Sequence, residues 1–163
     1  LPGSFDYKAS MSDPRVSVLM LTFNRAEWIG RAIQSILDQD FESWELIVVH
    51  DGPNETIARL MEEWVRRDSR IRYFRRLNPG NIAEATNFGL ARARGEYIAI
   101  LDDDDRWARP DKLARQIRFL DENPDYVACG GGVIVTDQHD NQTMRYLKPE
   151  QDEEIKQQDT PPP

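Results

Sequence analysis

Cysteine is almost missing from this chain. Cys129 is the single one among 163 residues, so no internal disulfide can form. That usage suits a reducing compartment. Histidine is nearly as scarce: His50 and His139 stand far apart in sequence, which gives neither a partner histidine for a metal site. No apolar run reaches the roughly 18 residues that a membrane-spanning helix needs. Residues 1–10 lack a basic segment followed by an apolar one, so they do not read as a signal peptide; residues 1–14 read as a flexible leader. Positive charge is in deficit, with 21 Lys and Arg against 29 Asp and Glu, a formal net charge of −8. A nucleic-acid backbone is therefore a poor partner. A nucleotide is not excluded, because a bound cation inverts the local field. The expected location is cytoplasmic, with peripheral attachment to a membrane left open. No internal repeat is present.

What is there is enough for a globular core. The chain is 39% hydrophobic and 31% charged, which suits one core-forming domain. Residues 15–21 (RVSVLML) form a short apolar run that reads as a buried strand. Ile29, Ala32, Ile33, Ile36 and Leu37 then recur at helical spacing, predicting an amphipathic helix over 26–38. Residues 44–49 (WELIVV) read as a second buried strand. Asn54 is placed to cap a second helix, whose apolar face carries Ile57, Leu60, Met61, Trp64 and Val65. A short strand follows near residues 71–74, then the turn cluster Asn78-Pro79-Gly80-Asn81. Ile82, Ala85, Thr86, Gly89, Leu90 and Ala93 line a third helical stripe whose small members allow close packing on a sheet, and Gly95 stands where a C-terminal cap belongs. Residues 97–101 read as a strand. Pro110 suits the first turn of a fourth helix with Leu113, Ile117 and Leu120 inward. Residues 126–136 read as one further strand, with three glycines marking a bulge. Beyond Asp137 the character changes: residues 138–163 read as an acidic, Pro-ended tail in which Leu147 and Ile155 anchor at most a short helix.

Strand and helix alternate four times over short connections. This predicts an α/β sandwich, Rossmann-like and three-layered, around a mostly parallel sheet. Ligands of such sheets bind outside the carboxyl ends of the strands. Thr22-Phe23-Asn24, His50-Asp51-Gly52 and Asp102 to Asp105 all fall at those ends. The last of these is the most costly. Four carboxylates follow the apolar residues 97–101, and an extended backbone would send Asp102 and Asp104 one way and Asp103 and Asp105 the other. Two carboxylates on one side suit Mg²⁺ or Mn²⁺, with phosphates and water completing the shell. A solvated acidic turn is the plainer alternative.

Taken together, these segments resemble the family 2 glycosyltransferases, whose nucleotide-sugar-binding fold is called GT-A. The resemblance rests on VSVLMLTFNRAEWIGRAIQSIL at the start, LIVVHDG at residues 46–52, the block from Asn78-Pro79-Gly80 through Thr86-Asn87-Phe88-Gly89-Leu90 to Arg94-Gly95-Glu96-Tyr97, and Leu101-Asp102-Asp103-Asp104-Asp105 with Pro110, Lys112, Leu113 and Gln116. It covers residues 15–137, which are expected to form the nucleotide-sugar-binding domain. It implies an inverting transferase that takes its sugar from a nucleoside diphosphate, UDP by expectation, with help from Mn²⁺ or Mg²⁺. Thr22, Phe23 and Asn24 would meet the base and ribose, and Asp51 would accept the imide N–H of a uracil-like base. Asp102 and Asp104 match the family's D-x-D pair. Asp104 would ligate the metal, and Asp102 would reach the ribose or the metal through water. Asp103, in the variable middle position, is counted with the nucleotide-binding residues. Asp105 reads as a supporting partner or a helix-side cap, and Arg25 as an exposed arginine with a phosphate contact as the alternative.

Three departures from the family's pattern stand out. His50 takes the place of the first of two acids before Gly52. Thr86 stands where an arginine is common before the asparagine that corresponds to Asn87. The acceptor-binding half, with the carboxylate acting as general base, has no counterpart; Asp137 and Asp140 come too early for it. The catalytic base, the acceptor and the sugar are therefore not assigned, and the chain is expected to be the donor-binding part of a longer enzyme. Two other functions compete. A non-catalytic nucleotide-sugar-binding module would also lack the base. A sugar nucleotidyltransferase would want a glycine-rich loop with a lysine after the first strand, and residues 22–26 contain neither.

Overall fold

The computed structural model describes residues 13–77, 81–137, 139, 141–146 and 155–156. Along the first of two compact units, residues 1–110, the elements are β1 (Val16–Thr22), α1 (Ala26–Leu37), β2 (Trp44–Asp51), α2 (Glu55–Arg67), β3 (Ile71–Arg76), α3 (Ile82–Leu90) and β4 (Tyr97–Ile100). The four strands form one all-parallel sheet in the order β3-β2-β1-β4. Parallel pairing follows from the sequence pattern: β1 and β2 are apolar on both faces, which only helices on both sides can bury.

Each face has its own cover. Leu19, Ile47 and Val49 pack with Ala85 of α3, and Leu21, Phe74 and Phe88 close around them. Each such fully buried aliphatic side chain contributes about 1.5–3 kcal/mol. The alternate residues Val18, Met20, Leu46 and Val48, on the opposite face, are equally buried, and α1 and α2 touch each other. The third helical stripe is narrower than its periodicity suggests. Ala85 and Gly89 are buried in α3, while Ile82 and Leu90 are exposed. Close approach explains this: a Cβ at Gly89 would stand 2.3 Å from Leu19 Cδ1, so only the smallest residues fit under the helix. Val65, expected inward on α2, is likewise exposed.

Gly95 does not cap α3, which ends at Leu90 with Ala91 as its cap. A Cβ at Gly95 would lie 2.4 Å from the Ser17 amide nitrogen, so the glycine serves the passage of the chain over β1. Nearby, Glu45 gathers the base of the sheet. It accepts Ser17 Oγ at 2.7 Å, Arg72 Nη1 at 2.6 Å, the Arg94 amide at 2.8 Å and Arg94 Nε at 3.0 Å. Burial pushes the Glu45 carboxyl upward, but Arg72, Ser17 and Arg94 outweigh it and hold the pKa below its ordinary value.

The second unit, residues 111–163, holds α4 (Lys112–Glu122), β5 (Tyr126–Ala128), β6 (Val133–Thr136), β7 (Gln142–Tyr146) and β8 (Ile155–Lys156). The single strand expected over 126–136 is two strands separated by Cys129 and the three glycines. β6 pairs antiparallel with β7, and β5 with β8. Ile155 therefore lies in a strand, not in the short helix expected of the tail. The turn at 78–80, Leu147, Asp140 and the closing prolines lie outside the described residues.

Candidate active site

Parallel strands end at one rim, and that rim collects the polar residues of the first unit. Thr22 ends β1, Asp51 ends β2, Arg76 ends β3, and the tetrad follows β4. Because β2 pairs with β1 on one side and β3 on the other, His50 stands in register with Thr22 and Asp51 with Arg76.

The tetrad is not extended. β4 stops at Ile100, residues 103–104 form a turn, and the Asp105 amide donates to the Asp102 carbonyl at 3.1 Å. Alternation of side chains therefore does not run through it: Asp102, Asp104 and Asp105 are all exposed, and Asp103 alone is fully buried, at 0% exposure. Asp103 is not a solvated bystander. Arg25 Nε lies 2.8 Å from Asp103 Oδ1, and the same guanidinium donates to Asp104 Oδ2. Burial pushes the Asp103 carboxyl above the ordinary carboxylate range; Thr22 and Arg25 pull it back, while Asp104 and Asp102 add to the rise. Burial and the same two neighbours also raise Asp105. Arg25 is thus a bridge between two members of the tetrad, although half of it is in solvent.

At the second strand end, the Phe23 ring stands over Gly52. A Cβ there would come within 2.8 Å of two Phe23 ring carbons, so glycine is what lets the ring come this close to the end of β2. Phe23, Asn24, Pro53 and Asn54 line an open recess, and Phe23 is exposed in it. Asn24 is partly committed: its Oδ1 accepts Asn54 Nδ2 at 2.7 Å, while Asn54 Oδ1 caps α2 by accepting the Thr56 and Ile57 amides. His50 interacts with the backbone of Phe23, one of the residues lining the recess. Its ring is fully buried and its Nδ1 lies 2.7 Å from the Tyr73 hydroxyl. Burial, aided by the Arg75 charge, holds its pKa below the ordinary value. A histidine so placed packs within the sheet.

Asp51 points to the other face, where Arg76 waits. Arg76 Nη1 lies 3.4 Å from Asp51 Oδ1, and Nη2 lies 3.4 Å from Glu84 Oε2. Thr86 cannot reach this group, since its hydroxyl donates to the Ile82 carbonyl within α3 at 2.7 Å. Among the described residues the Thr22 hydroxyl, Asp51 Oδ1, Arg76 Nη1 and both Asp103 oxygens are buried without an aligned hydrogen-bond partner. Such atoms are rare in folded proteins and call for an explanation. Arg76 was not legible as a site residue from periodicity. The signal was the strand's own alternation: Arg72, Phe74 and Arg76 share a face, and register places the last of them beside Asp51.

Mg²⁺ and Mn²⁺ favour one or two carboxylates, with phosphates and water as the other ligands. The exposed carboxylates of Asp102 and Asp104 fit that donor set. Among the described residues, no group of three or more His, Cys, Asp or Glu side chains is arranged to hold a metal, nor is any helix long and apolar enough to cross a membrane.

Comparison with known proteins bears on the family and the fold. An uncharacterized glycosyltransferase of Rickettsia bellii is 40% identical over 116 residues, 71% of this chain but only 16% of the relative. A mannosyltransferase from Pyrobaculum calidifontis, solved with GDP-Man and Mn²⁺, superposes with a TM-score of 0.64 at 25% identity, covering 80% of this chain and 38% of its own. The Staphylococcus aureus TarS 1-349 structure with UDP-GlcNAc shares the fold, with a TM-score of 0.62 at 22% identity over 75% of this chain and 40% of its own. The chain thus spans less than half the length of each. The profile described as Glycosyl transferase family 2 matches residues 17–162, running on through the segment that the sequence alone suggests is a tail. This chain belongs to glycosyl transferase family 2.

Proposed function

We propose that this stretch binds the donor of an inverting glycosyltransferase: a nucleoside diphosphate sugar, held with the aid of a divalent cation. The observation that carries the reading is the pair of buried polar atoms without aligned partners at adjacent strand ends, Asp51 Oδ1 and Arg76 Nη1. A nucleotide laid across the rim supplies partners to such atoms. The exposed Phe23 ring offers the base a flat surface, and Asp51 an acceptor for a ring N–H. Asn24 keeps its amide nitrogen for the ribose, and Asp102 stands at the same rim. The mannosyltransferase bound to GDP-Man and Mn²⁺ supports the ligand class. UDP remains the first donor to try, since Asp51 suits an imide N–H.

Asp104, assisted by Asp102, would hold Mn²⁺ or Mg²⁺. When bound, the ion supplies Lewis-acid stabilisation of the charge growing on the leaving diphosphate. In transfer with inversion, an acceptor oxygen bonds to the anomeric carbon as the bond from that carbon to the diphosphate oxygen breaks. The acceptor's proton must go to a base on the opposite side. Asp137 is unsuited to that task. It accepts the His139 and Asn141 amides and Asn141 Nδ2 at 2.8–2.9 Å, and Asn141 above all holds its pKa low. Asp137 is therefore not assigned as that base. Asp103 is better read as the buried support of the tetrad, kept in place by Arg25, than as a contact to the nucleotide.

The test compares this stretch with a longer version carried to the length of the relatives it matches. Both should bind the donor in a cation-dependent way, and the longer one should also transfer sugar. A longer protein that binds donor yet transfers to no acceptor would favour a non-catalytic binding module.

A further inference from the structure

We infer that Arg76 is a base-reading residue, and that it works with Asp51 to select nucleotides whose base carries a ring N–H beside a carbonyl, as uracil and guanine do. The inference rests on the nucleotide reading above and goes beyond it by naming the residue and the class of base.

Three observations converge on Arg76. It is fixed rather than floppy: its side chain is about five-sixths buried, with the guanidinium carbon 5.6 Å from the middle of the Phe88 ring. It is placed by register, since Asp51 and Arg76 are paired positions of neighbouring parallel strands. It is also incompletely used. At 3.4 Å its Nη1 is in ion-pair range of Asp51 but beyond good hydrogen-bond length, and both Nη1 and Asp51 Oδ1 are buried without an aligned partner. Glu84 holds the other end of the fork and is itself steadied by Asn81.

A carboxylate acceptor beside a guanidinium donor forms a two-atom pattern. Uracil answers it with N3–H to Asp51 and a flanking carbonyl to Arg76; guanine answers it with N1–H and its C6 carbonyl. Cytosine and adenine carry a bare ring nitrogen at that position and an amino group beside it. To satisfy the same pair they must slide one atom along the edge, which draws the ribose and diphosphate away from Phe23 and the tetrad. Discrimination by such a paired contact is on the order of 10- to 100-fold.

The experiment is calorimetric titration of UDP, GDP, CDP and ADP, each with Mn²⁺, into the wild type, Arg76→Met and Arg76→Gln. Thermal melts identify any variant that has lost its fold. The wild type is expected to bind UDP or GDP at least about tenfold more tightly than CDP and ADP. Arg76→Met should collapse that ratio to within about threefold, while Arg76→Gln, which keeps an N–H donor, should retain most of it. A merely structural arginine would weaken all four nucleotides together and leave the ratio unmoved, which would overturn the inference. So would a wild type that binds all four alike, although cation-dependent donor binding would then still stand. A folded wild type that binds none of them would bring down the nucleotide reading and this inference with it.

Discussion

Arg25 Nε lies 2.8 Å from Asp103 Oδ1, joining the N-cap of α1 to the one buried carboxylate of the tetrad. The tetrad is thereby divided. Asp103 is a structural anchor under the loop, and Asp102 and Asp104 are left at the surface. Arg25→Ala leaves a buried charge without its counter-ion. The expected loss is about 1–2 kcal/mol, below the 3–5 of a fully buried pair because half of Arg25 is in solvent. The pH dependence carries the signature. Asp103 has a folded pKa above its ordinary 3.8, so the folded state favours the protonated form and the penalty grows as pH rises through that value. Removing Arg25 raises the folded pKa further. Urea denaturation of wild type and variant should therefore converge as pH falls toward 4 and diverge toward neutrality.

Glu45 provides a control at the far end of the sheet. Its carboxylate satisfies two arginines and Ser17 while 1% exposed, so Glu45→Ala should cost about 1–3 kcal/mol by orphaning the buried Ser17 hydroxyl and the partly buried Arg72, with little from the half-exposed Arg94. The seven residues from Glu45 to Asp51 span roughly 20 Å of strand, so nucleotide affinity of the folded fraction should not change. Its folded pKa is depressed below 4.5. The stability it contributes is thus present above pH 4.5 and lost as pH falls through the folded value. Denaturation midpoints at pH 7 and pH 3.5 should show the wild-type advantage shrinking in acid.

His50 titrates in a different window. Its folded pKa is depressed below 6.5, so the unfolded chain takes up a proton first and stability falls as pH drops from 6.5 to the folded value. His50→Gln should flatten that slope while lowering stability at pH 7 by about 1 kcal/mol, since the Tyr73 contact is altered. An unchanged slope in the variant would assign the titration to another group.

Much of the frame could be read from residues alone, and the reasons are local. RVSVLML and WELIVV are apolar on both faces, which only a parallel sheet between helices accommodates, and Asn54 caps α2 with the hydrogen bonds its position suggests. The failures come from contacts made at long range. The tetrad looks like a continuation of β4 because nothing within residues 97–105 reveals Arg25, which lies 79 positions from Asp104 and draws the chain into a turn. Gly95 looks like a helix cap because its real neighbour, the Ser17 backbone, is 78 residues away. Arg76 passes unnoticed because its meaning depends on strand register. The break between β5 and β6 falls at a run of glycines, a local signal that suggests a bulge and turns out to separate two pairings.

The most direct test of the account is calorimetric titration of UDP and GDP into the folded protein with Mn²⁺ and with the cation chelated, repeated for Asp104→Ala. The account predicts saturable binding of at least one nucleotide in the presence of Mn²⁺. Chelation or loss of Asp104 should each weaken that binding by at least about tenfold, the scale seen when an ion–ligand contact is removed. A folded protein that binds neither nucleotide, or that binds them equally well without the cation and without Asp104, would contradict it.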